Sequence, residues 1–166
     1  MVITIKDETL NQAAQEGMDA FLEAVIAAIK NGIGGELNAD NMSMLNSEQI
    51  TLLGWQLMRD EVMDGGFIQL IQNHLGPFVF HNPLAKALRL WGLKDLSKLI
   101  YRGRDLYDLL GEELERDRSD EEFMALFEEH PEFDDLDDDF VECEEEWTEQ
   151  IARYVDEHLD HFVAVE

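Results

Sequence analysis

Carboxylates are the residues of this chain best placed to do chemistry, and their spacing decides which kind. Asp138, Glu142, Glu145, Glu149, Asp156 and Asp160 recur at helical intervals. At about 100° per residue they fall within a sector of about 60°, spanning about 33 Å from first to last. One turn of duplex DNA measures about 34 Å. Phe140, Cys143, Trp147, Ile151, Tyr154, His158 and Phe162 fall on the opposite side, the side on which a helix docks. Arg153 is the only base between residues 136 and 161, so most of these carboxylates lack the i,i+4 cation that usually relieves repulsion. A solvated amphipathic face accounts for the periodicity. It does not account for the missing cations.

Other chemistries fit less well. Asp135, Asp137, Asp139 and Glu146 match the acidic positions of a calcium loop, but Phe140 stands where the sharp turn requires glycine. His158 and His161 sit at i,i+3 beside Glu157, a spacing some metal sites use, yet His158 lies on the docking face, as a packed histidine would. Cys143 shares that face without a basic neighbour, which is the setting of an inert thiol. His74 and His81 bracket the apolar Gly76–Phe80 stretch near Gln69 and Asn73, where a small-molecule pocket could form. No phosphate loop, nucleophile elbow or metalloprotease motif occurs. The expectation is a protein without metal, cofactor or enzymatic activity.

Helical periodicity dominates the elements that must position these residues. A first helix is expected over residues 10–30, stopped by Asn31-Gly32 and Gly34-Gly35. Asn46 with Gln49 reads as a capped start for a helix ended by Gly65-Gly66. A short helix from Phe67 to Leu75 is expected to close at Gly76, followed by an irregular connector over residues 77–81. Asn82-Pro83 should open a helix through Leu90. One or two helices follow over residues 93–115, with a break near Gly103. Ser119 and Glu122 form a capping box for a helix over residues 121–129, ended by Pro131. The last helix should run from about residue 136 to His161. The reading is all-α: one compact domain over residues 1–166 with six to eight helices. It comprises the N-terminal helix at 10–30, a helical core at 46–104 and an acidic helical block at 105–166.

The 166 residues carry 38 acidic and 12 basic side chains, a net charge of −26. Residues 1–104 contribute −3 and residues 105–166 contribute −23, while the stretch 65–104 is locally +5. That cationic stretch can neutralise part of the acidic block, within the chain or across a dimer. The acidic block is no disordered tail, because Phe123, Phe127, Phe133, Phe140 and Trp147 interrupt it at helical spacing. Direct binding to nucleic acid or an anionic membrane is excluded by repulsion. One cysteine permits no internal disulfide, and no apolar run reaches the roughly 18 residues of a membrane span. The opening Met1-Val2-Ile3-Thr4-Ile5-Lys6 lacks a signal-peptide pattern. A cytoplasmic protein with basic partners is expected.

The segment Glu61-Val62-Met63-Asp64-Gly65-Gly66-Phe67-Ile68-Gln69, with Asn73, Gly76, Ala85, Leu88 and Gly92 after it, resembles a bacterial family of small acidic proteins. That family was long a domain of unknown function, and its characterised member is a DNA mimic. Phe133, Asp134, Leu136, Asp137, Phe140, Tyr154 and Phe162 extend the resemblance, which covers about residues 46–162. Asp64, where asparagine is common, and Trp91-Gly92-Leu93 depart from the pattern. The resemblance implies a helical homodimer whose surface carboxylates imitate DNA phosphates and occupy a helix-turn-helix transcription regulator; a histone-like protein is the other basic DNA-binding partner expected. Glu61, Gly65, Gly66, Phe67, Gln69, Asn73 and Gly76 look like scaffold in this comparison, and the six-carboxylate column is the expected partner-binding surface. The competing reading is an acidic interaction or adaptor domain, or a small-ligand binder, without DNA mimicry.

Overall fold

Side-chain caps open two helices of this chain, and glycines bound others. The Asn46 carboxamide accepts from the Gln49 amide at 2.8 Å while the Gln49 side chain accepts from the Asn46 amide at 3.0 Å. This reciprocal pair satisfies two amides that a helix start would otherwise leave unpaired. Ser119 accepts from the Glu122 amide at 3.2 Å, opening a helix in the same way. The computed structural model describes residues 2–166. Among them are eight α-helices: α1 (Asp7–Glu16), α2 (Met18–Ile33), α3 (Ser47–Gln72), α4 (Gly76–Phe80), α5 (Leu84–Leu90), α6 (Lys94–Leu114), α7 (Asp120–Glu129) and α8 (Asp134–Glu157). The all-α class and the helix number agree with the sequence reading.

Several boundaries differ from it, for physical reasons. The helix expected over residues 10–30 is two helices, because Gly17 adopts φ 128°, ψ 179°, a conformation open to glycine and costly for other residues. Helix α2 then passes through Gly32 and ends at Gly34, in the left-handed region with φ 86°. Gly76 does not close a helix. It opens α4, so the expected connector is helical, with Val79 and Phe80 buried. Helix α6 is unbroken at Gly103, which is buried where a Cβ would press on Phe80 and Leu136. Helix α8 stops at Glu157 rather than His161, and a 3-10 turn follows over Leu159–His161. A ladder missed by the sequence reading pairs β1 (Thr4–Ile5) in parallel with β2 (Ala164–Val165).

The chain divides into two compact units. One comprises the described residues up to Leu53 together with Glu146–Glu166, and the other is Gly54–Glu145. In the first, Phe21, Leu22, Val25, Ile29, Trp147, Ile151, Val155 and Phe162 are buried. Gln49 donates to the Phe162 carbonyl at 2.8 Å, which secures the start of α3 to the C-terminal segment. In the second, Phe67 lies edge-on to Phe140 and Trp55 stacks on Phe140. These rings account for large buried areas and favour offset or edge geometries.

Candidate functional site

Helix α8 carries both chemistries foreseen for the acidic block, on different sides. In the Gly54–Glu145 unit its inner face buries Leu136 and Phe140, and its outer face exposes Asp138, Glu142 and Glu145. In the other unit it buries Trp147, Ile151 and Val155 and exposes Glu149 and Asp156. Asp160 is also exposed, but it belongs to the 3-10 turn, so the helical register behind the 33 Å column ends before it. Glu149 pairs with Arg153 at 3.1 Å. The other five make no ion pair among the described residues. Their like charges repel along the helix surface by a few tenths of a kcal/mol per i,i+4 pair, about 0.2–0.5 kcal/mol each.

Two acidic side chains of the same run point the other way. Glu144 is 6% exposed and forms an ion pair with Arg59. Asp137 is half-buried, and its Oδ1 accepts from the Phe67 amide at 2.8 Å. Burial pushes the Asp137 carboxyl up to about 6, against the downward pull of the Phe67 hydrogen bond and with help from Asp134 and Asp138. The Phe67 amide follows an interruption of α3: Gly65 and Gly66 depart from helical geometry, with Gly66 at φ 76°. A Cβ on Gly66 would collide with the Asp137 carboxylate. The double glycine thus lets a side chain from α8 cap the restarted helix.

The remaining motif residues build the same scaffold. Gln69 donates to Glu61 and to Asp64, each at 2.9 Å. Asn73 donates to Glu61 at 3.0 Å. Phe67 is fully buried, and Gly76 lies against Tyr107 where a Cβ would collide with the ring. Glu61, Gly65, Gly66, Phe67, Gln69, Asn73 and Gly76 are thus engaged in contacts within the fold. Asp137 and Glu144 were the residues missed as structural, although the same 100° arithmetic sets both on the docking side.

The alternative chemistries find little to work with. The calcium-loop candidates Asp135, Asp137 and Asp139 lie within α8, and Asp139 pairs with Arg102 at 2.9 Å. No group of three or more His, Cys, Asp or Glu side chains among the described residues is arranged to hold a metal ion. His158 stacks on Tyr154, with its Nδ1 2.8 Å from the Tyr154 carbonyl, as a packed histidine. Cys143 is half-buried and forms no disulfide among the described residues. His81 is exposed and contacts Asp108 at 2.8 Å. His74 is exposed at φ 62°, while Gln69 and Asn73 line an open groove of about 450 Å³ together with Gln72, Arg118 and Phe123. In the cationic stretch, Arg102 and Arg104 pair with Asp139 and Asp108, as the within-chain reading anticipated. No helix among the described residues is long and apolar enough to cross a membrane.

Comparison with known proteins adds an independent line. A family described as DMP19-like protein matches residues 43–158. The DNA mimic protein DMP19 of Neisseria meningitidis serogroup B is 28% identical over 127 residues, covering 76% of this chain and 77% of that protein. The chain belongs to the DMP19-like family.

Proposed function

We propose that this protein is a DNA mimic that competes with DNA for a basic DNA-binding protein, such as a helix-turn-helix transcription regulator or a histone-like protein. The observation that carries the reading is the set Asp138, Glu142, Glu145, Asp156 and Asp160, all exposed and without ion pairs among the described residues. A helix normally dilutes such repulsion with cations. Here the uncompensated field is the working part, and it draws a surface built to receive phosphates. The similar protein named a DNA mimic supports the same reading. A cytoplasmic homodimer belongs to this proposal, and a monomeric mass by light scattering would remove the dimer from it.

The test is competition. Purified protein is titrated into a complex of duplex DNA with a basic DNA-binding protein recovered by low-salt pull-down from the source cell, between roughly 50 and 200 mM salt. Displacement of DNA that weakens with salt is the expected result, since screening shortens to about 8 Å at physiological ionic strength. Its salt slope should be shallower than that of DNA, whose condensed counterions are released on binding. If no basic DNA-binding protein is recovered, or DNA stays bound, the reading fails.

A further inference from the structure

The unit holding α1, α2 and the C-terminal part of α8 contains an open groove of about 370 Å³. Ala14, Met18, Phe21 and Ala152 supply apolar lining, and Glu149 and Asp156 line the same groove. Phe21 and Ala152 are buried, whereas Met18 is 37% exposed and leaves apolar surface open. Gly17 forms the elbow, and a Cβ there would meet nothing within 4 Å, so the groove is unobstructed at that end. Arg153, on the same groove, is engaged by Glu149 at 3.1 Å. Asp156 makes no ion pair among the described residues.

We infer that this groove is a subsite for one lysine side chain of the basic partner, with its methylenes against Met18 and Phe21 and its ammonium at Asp156. The inference rests on the DNA-mimic reading and deepens it. Charge complementarity selects a cation: the described residues of this unit hold 14 acidic and three basic side chains. The apolar lining selects a long stem, because lysine lays its methylenes along apolar surface while its head stays in water. A single unpaired carboxylate suits the point charge of an ammonium better than the two-pronged fork of a guanidinium. A row of phosphates attracts charge without regard to stem length. This groove adds a preference for the stem.

The probes are a decalysine peptide and the same peptide built from 2,4-diaminobutyrate, which keeps the charges and removes two methylenes per side chain. The wild-type chain should bind decalysine about tenfold more tightly, from roughly two buried methylenes at the contacting residue. Ala14→Trp fills the groove at an exposed position without changing charge and should abolish the preference. Met18→Ser, also at the surface, should reduce it and guards against misfolding of the first variant. Equal affinity of wild type for both peptides overturns the inference, as does a preference that persists in folded Ala14→Trp. Competition with duplex DNA separates the two readings. A chain that displaces DNA without stem preference loses the groove alone, and one that keeps the preference without displacing DNA loses mimicry but retains the lysine subsite.

Discussion

Asp137 and Asp138 are adjacent on α8 and do opposite things. Asp137 turns inward, accepts the Phe67 amide and holds together the restart of α3 after Gly66. Asp138 turns outward and is exposed, with no ion pair among the described residues. Glu144 and Glu145 repeat the contrast about two turns on, the first buried against Arg59 and the second exposed. Acidity therefore serves two ends in one helix: inner carboxylates fix the scaffold, and outer ones supply the field. Net charge describes their sum and hides the division. Substitutions on the two sides should consequently separate folding from binding.

The largest separation should come from the outer side. Replacing Glu142, Glu145 and Glu149 together by Lys should abolish partner binding while leaving the helical circular dichroism and melting temperature near wild type, because all three are exposed. Retained binding in that variant would reduce the outer face to a solvated surface. Next comes the inner side, where Gly66→Ala combines an unfavourable φ with a collision against Asp137. It should cost about 2–3 kcal/mol of unfolding free energy with no change in charge, read by urea denaturation.

Asp137→Asn sharpens the contrast through pH. The carboxyl is raised to about 6 in the fold, above its unfolded value of 3.8. Its contribution to stability is thus complete below the unfolded value and is lost as pH rises through about 6. Asparagine keeps an acceptor for the Phe67 amide and never ionises. The variant should be more stable than wild type at pH 8 by about 1 kcal/mol, allowing for screening at a half-buried group, and the gap should close below about pH 4. Thermal melts across that range check it; a gap that widens on acidification contradicts the assignment. The smallest effect belongs to single outer changes such as Glu145→Gln. Exposed ion pairs contribute only about 0.2–1 kcal/mol, so binding should weaken less than about tenfold.

Periodicity and capping pairs made much of this legible in the sequence. Asn46 with Gln49 and Ser119 with Glu122 act through local hydrogen bonds, so spacing alone finds them. The exposed and buried sides of α8 follow from its 3.6-residue repeat. What escaped was non-local or depended on backbone conformation. That Gly17 breaks a helix while Gly32 and Gly103 sit inside one is decided by surrounding packing, since glycine tolerates both states. The Asp137 cap joins residues 70 positions apart, and no local pattern announces it. The groove beside Met18 required the elbow at Gly17, so it was invisible while residues 10–30 were read as a single rod.

The short parallel ladder has a mechanical consequence. Strand β1 leads from one end of the chain and β2 leads to the other, aligned in the same direction. Tension applied through the two ends pulls the strands past each other lengthwise. The bonds from Ala164 to Ile3, Glu166 to Ile5 and Asp7 to Glu166, at 2.7–2.9 Å, then share the load instead of opening in turn like a zipper. Two residues of strand on each side act as a shear clasp, so rupture under an end-to-end pull begins with those bonds failing together.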